Sequence, residues 1–122
     1  SNEVYGFYNS MDAAVATLMS NDVYGADIFC SEAGDHDHLY DQEFDLITSF
    51  LSCGWHYPVK TYVDLIKETL SPLGVLILDL RHDTGELGYA QKHFKLVEHI
   101  VNNNESKHTG GTVGDRYIFK NG

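Results

Sequence analysis

Positive charge is scarce in this chain. Eight lysines and arginines stand against 18 aspartates and glutamates in 122 residues, a formal net charge of −10 with histidine neutral. That balance repels phosphate backbones and anionic lipid, which counts against nucleic-acid and membrane-surface roles. Cysteine is nearly absent as well. Cys30 and Cys53 have no metal-type spacing, so they point to buried thiols in a reducing compartment and away from a disulfide framework. No apolar run approaches the ~18–20 residues of a membrane span, and the N-terminus has no basic, apolar signal sequence. The default expectation is a cytoplasmic protein. The start Ser1-Asn2-Glu3 has no methionine, which suggests a trimmed chain. No serine is framed by Gly-x-Ser-x-Gly, so hydrolase chemistry has little support. What is present is an ordinary globular composition, 43% hydrophobic and 21% charged, too apolar for disorder. The length allows one modest domain with a real core, and a single domain over residues 1–122 is expected.

Along the chain, strand-like and helix-like segments alternate. Residues 3–8 (EVYGFY) are rich in β-formers. Ser10 can cap a helix with Asp12 in its first turn and Met11, Val15, Leu18 and Met19 at helical spacing, ending near Asn21. A short strand over 26–30 precedes a polar stretch, and residues 44–51 (FDLITSFL) read as a strand covered on both faces. Pro58 suits the first turn of a second helix. Val59, Tyr62, Val63, Ile66 and Leu70 mark its buried side, and Ser71-Pro72-Leu73-Gly74 stops it. Residues 75–80 (VLILDL) form the most deeply buried strand. A short helix over 86–94 follows, with Leu87, Ala90 and Phe94 on one side. Two strands, 95–101 and 116–120, flank a polar loop with Gly110, Gly111 and Gly114 and predict an antiparallel hairpin. This order predicts an α/β fold: a mostly parallel sheet with an antiparallel addition at its C-terminal edge, and no internal repeat.

The central segment carries more than pattern. A strand opening on Phe44-Asp45-Leu46 runs into the loop Ser52-Cys53-Gly54-Trp55-His56-Tyr57-Pro58. A helix follows, and Leu70-Ser71-Pro72-Leu73-Gly74-Val75 leads into an Ile-Leu-Asp strand. In order and spacing this resembles the second half of a class I S-adenosylmethionine-dependent methyltransferase, and the loop is similar to small-molecule members of that family. The resemblance implies a three-layer, Rossmann-like sheet whose second and third strands fall on 4–7 and 26–30 and whose last two are the terminal hairpin. It also implies an incomplete fold, because the family's first strand and helix and its Glu/Asp-x-Gly-x-Gly-x-Gly loop have no counterpart here. That loop lets backbone approach the cofactor where a side chain would clash. The expected function is therefore that of a truncated relative of a small-molecule methyltransferase, inactive as an isolated chain, with S-adenosylmethionine bound weakly or not at all. The alternative is a non-catalytic, oligomeric interaction module built on the remnant fold. Unpaired sheet edges recruit partners, so a homo-oligomer or a partner chain is expected to cover them.

The candidate site residues follow from this scheme. Where the family holds the cofactor ribose with a carboxylate, this chain has Asn9; Glu32 or Asp35 would meet the adenine, and Ser49 joins the cofactor set. His56, with an ordinary pKa near neutrality, is the candidate general base toward an acceptor hydroxyl, although methyl transfer depends mainly on positioning. Trp55, Tyr57 and Arg81 are the candidate substrate contacts, since ligands bind at strand C-terminal ends in open α/β sheets. Asp35, His36, Asp37 and His38 have the chemistry of metal ligands, but a solvated acidic loop is the better reading and no metal is assigned. Asp45 reads as a structural carboxylate at a strand start. His82 and Asp83 follow Arg81 beyond the buried strand. Asp79, inside that strand, must have partners if it is buried, and orienting the loop beyond it is one role open to it.

Overall fold

In a computed structural model the run VLILDL lies in the interior of a four-stranded sheet. The structure describes residues 11–22, 36–102 and 113–122, and the chain divides into two units, residues 1–38 and 39–122. In the first unit, helix α1 (Met11–Ser20) carries Asp12 in its first turn, where the helix dipole favours a carboxylate. The Thr17 and Ser20 hydroxyls donate to the carbonyls of Ala13 and Ala16, at 2.9 and 2.8 Å. The strands expected over 3–8 and 26–30 lie outside the described residues.

The second unit holds the sheet: β1 (Phe44–Ser49), β2 (Leu70–Arg81), β3 (Phe94–Ile100) and β4 (Gly114–Asn121), in the order β1-β2-β4-β3. Helix α2 (Val63–Thr69) connects β1 to β2, and α3 (Glu86–Gln91) connects β2 to β3. β1 and β2 are parallel, and β4 is antiparallel to both β2 and β3. Hence β1, β2 and β3 run in one direction and β4 alone opposes them. The fold is α/β, as expected. By pairing, the described sheet is mixed, with one parallel pair and two antiparallel pairs. The hairpin of β3 and β4 is the antiparallel addition expected at the C-terminal edge, with β4 in the slot between β2 and the edge strand β3. Burial explains that placement: β4 sends Asp115, Tyr117 and Phe119 into the interior, whereas most of β3 is exposed. The more deeply buried strand takes the inner position.

Alternation along β2 builds the core. Leu76, Leu78 and Leu80 are fully buried on one face and meet Phe119, Val59, Val63, Ile66 and Phe94. Each such side chain contributes roughly 1.5–3 kcal/mol by leaving water. The helical face expected over 59–70 is therefore present, but its start differs. Pro58 is extended, Val59–Thr61 is a single 3-10 turn, and the α-helix begins at Val63. The Val59 N–H donates to Glu86 Oε2 at 2.9 Å, which ties this turn to α3. β2 also starts earlier than expected, at Leu70. Residues 71–74 are absorbed where its register with β1 slips between Phe44↔Leu70 and Leu46↔Val75. Ser71 donates to Asp45 Oδ1 across that irregularity at 3.0 Å, the structural role expected of Asp45. β1 is only half covered, with Leu46 57% exposed, so among the described residues it does not have the two-sided burial its sequence suggests. Among the described residues, no helix is long and apolar enough to cross a membrane.

Candidate functional site

The C-terminal ends of β1, β2 and β3 meet the start of β4 at one end of the sheet. The chain leaves β1 through a tight loop, residues 50–57, held from several sides. Cys53 N–H donates to Ser49 Oγ at 2.8 Å, and Ser52 O accepts from the N–H groups of Trp55, His56 and Tyr57 at 2.8–3.0 Å. Arg81 N–H donates to Gly54 O at 3.1 Å, which fastens the loop to the end of β2. Leu51 adopts a left-handed backbone (φ 58°), a conformation bulky residues rarely take, and its N–H donates to Asp79 Oδ2 at 3.2 Å. Cys53 is buried beneath the loop. Burial first, and then the charge of Glu86, push its thiol up to about 12.

Asp79 has the partners its burial demands. Its cross-strand neighbour Arg116 donates from Nε to Oδ1 at 2.7 Å and from Nη2 to Oδ2 at 3.1 Å. This two-point contact, followed by burial as an opposing effect, raises the Arg116 pKa above its usual value. The guanidinium lies 4.3 Å from the centre of the Phe50 ring. One carboxylate thus connects β2, β4 and the loop after β1.

A second carboxylate, Asp115, closes the other face. It is buried, and its Oδ2 takes His99 Nε2 at 2.7 Å and His82 Nε2 at 3.1 Å. Its Oδ1 accepts the Asn102 N–H at 2.8 Å. Burial works against its charge, but the hydrogen bonds from Asn102, His99 and His82 outweigh it and bring its pKa down to about 2. A bulge at Val97 in β3 keeps Leu96 and His99 on one face, and the His99 ring stacks on its cross-strand neighbour Tyr117 at 4.4 Å.

Between these groups lies a cleft of about 580 Å³, walled by Phe50, Leu51, Trp55, Ile100 and Val101 and floored by Asp79, Asp115 and Arg116. Gly114 gives it room, since a Cβ there would run into the Leu80 carbonyl and the Trp55 ring. Apolar walls with a few converging charged groups are the usual make-up of a small-molecule site. A smaller hollow of about 290 Å³ beside it is lined by Arg81, His82, Asp83 and Tyr117.

Of the residues singled out from sequence, Trp55 lines the main cleft, and Arg81 stands over its ring at 5.6 Å while lining the smaller hollow. His56 and Tyr57 are exposed on the loop and line neither, and Tyr57 packs edge-on against Tyr62 at 6.4 Å. Ser49 is engaged in the loop as the acceptor of the Cys53 N–H. Asn9, Glu32 and Asp35 lie outside the described residues. Asp37 and His38 belong to a 3-10 turn, Asp37–Asp41, and among the described residues no group of three ligating side chains gathers for a metal. Sequence reasoning missed Phe50, His99, Asp115 and Arg116. One signal for Arg116 was available, since Arg81 and Arg116 are the chain's two arginines. No protein-family model matches the chain, and no curated protein matches it.

Proposed function

We propose that this chain is a relative of S-adenosylmethionine-dependent small-molecule methyltransferases that carries the acceptor side of the fold and does not transfer a methyl group as an isolated chain. The observation that carries the reading is the cleft itself, placed where the parallel strands end and where open α/β sheets bind ligands. The order of elements supports it: β1 opening on Phe44-Asp45-Leu46, a helix, β2, and a closing antiparallel pair. A cytoplasmic location accords with the buried thiol of Cys53.

The described residues do not fit the cofactor. Ser49 already serves the loop, Gly54 faces the Leu80 and Val59 side chains, and the sequence has no glycine-rich strand-to-helix turn of the family's kind. The chain's own chemistry is therefore binding and orientation: Phe50 and Trp55 offer flat apolar surface, and Arg116 offers directed donors. Calorimetric titration with S-adenosylmethionine and S-adenosylhomocysteine tests the inactivity. No heat at millimolar ligand is expected, and binding at tens of micromolar or tighter would overturn it.

A second reading, an oligomeric module, is favoured by the other end of the sheet order. Among the described residues β1 is an edge strand, and its Leu46 borders an apolar hollow with Leu39, Phe44 and Leu65. In this reading a second copy or a partner chain covers that edge.

A further inference from the structure

We propose that the main cleft selects a planar organic carboxylate, with the ring against Trp55 and Phe50 and the carboxylate on the open edge of Arg116. The inference rests on the acceptor-site reading and names its ligand class. A guanidinium carries five N–H donors in a rigid fork. Asp79 engages Nε and Nη2, which leaves the Nη1 edge available, and the side chain is 45% exposed although its partner is buried. Asp79 thus orients Arg116 at the cleft floor without covering it.

Charge placement supports an anionic ligand. In a chain of net charge −10, both arginines stand at this one end of the sheet, each over an aromatic ring of the loop after β1. Among the described residues Arg81 forms no ion pair, and it lines the smaller hollow with Asp83, beside the cleft and not within it. The carboxylates nearby are already committed, Asp79 to Arg116 and Asp115 to two histidines and a backbone N–H. Cations would find no uncommitted partner on this floor. The walls call for a flat apolar body: Trp55 is half-buried, and among the described residues its indole N–H meets no acceptor, so it can donate to a ligand oxygen.

Trp55 is the chain's single tryptophan, so its emission reports the cleft without a label. Benzoate, benzamide and acetate are titrated against the unaltered 122-residue chain while tryptophan emission is followed. Benzoate is expected to change the emission saturably, with benzamide and acetate at least tenfold weaker. Arg116→Lys, which keeps the charge but loses the fork, is expected to weaken benzoate about tenfold while benzamide is unaffected. The comparison of ligands on the unaltered chain does not depend on that variant folding. If benzoate and benzamide bind alike, or acetate binds as well as benzoate, carboxylate selection by a planar site is wrong and the acceptor site stands. If none of the three perturbs Trp55, both this inference and the acceptor-site reading fail.

Discussion

At the scale of single residues, the cleft depends on a glycine whose sequence context hides its role. Gly114 reads as one of three glycines in a polar loop, but it is the first residue of β4, opposite Arg81, with the Leu80 carbonyl and the Trp55 ring where a side chain would stand. Nothing in a linear sequence marks such an approach, because it is made by two segments roughly 34 and 59 residues away. Trp55 and Arg81 were legible, since both follow apolar strands and ligands collect at such ends. Phe50 and Arg116 were not, because their pairing depends on β4 entering the sheet beside β2. Gly114→Ala forces either the Trp55 ring or the strand to move. It is expected to cost about 1–3 kcal/mol in urea unfolding and to shift tryptophan emission to the red as the ring loses cover. An unchanged emission maximum with full stability would mean that Gly114 does not hold the ring in place.

At the scale of elements, the sequence conveyed the alternation of strand and helix but not the order in space. Residues 75–80, 86–91 and 94–100 fall close to their expected positions, and for 75–80 burial of Leu76, Leu78 and Leu80 on the core face accounts for it. The boundaries that moved, Pro58 and residues 70–74, are places where backbone hydrogen bonding decided against local propensity. Asp115 shows what no propensity could: it joins β4 to β3 through His99 and to the turn after β2 through His82. Its pH dependence has a definite sign. The folded carboxyl titrates at about 2, below its ordinary value of about 4. The folded state therefore binds the proton more weakly than the unfolded chain, and stability falls with acidification. The contribution is complete above pH ~4 and is lost as the pH drops toward ~2. Asp115→Asn is expected to be less stable than the parent at neutral pH, with the gap narrowing below pH ~4 in urea titrations. A gap independent of pH would show that packing, and not the ionised carboxylate, joins the three elements.

At the scale of the whole molecule, the acidic balance and the exposed edge pull in opposite directions. A net charge of −10 opposes self-association at low salt, because identical chains repel. The β1 edge favours it: its backbone groups face outward among the described residues, and Leu46 adds apolar surface beside them. Screening removes most of the repulsion at physiological ionic strength, where the Debye length falls to about 8 Å, and leaves the edge attraction nearly unchanged. The second reading of function therefore predicts a salt-dependent equilibrium. By light scattering at micromolar concentration, the monomer is expected to gain weight at low salt only slightly and to approach dimer as salt is raised. Leu46→Lys places a charge on the edge and is expected to keep the chain monomeric at every salt concentration, with tryptophan emission at the opposite end of β1 unaltered. A parent chain that stays monomeric throughout, with cooperative unfolding, would remove the oligomeric reading and leave the cleft as the molecule's one proposed working surface.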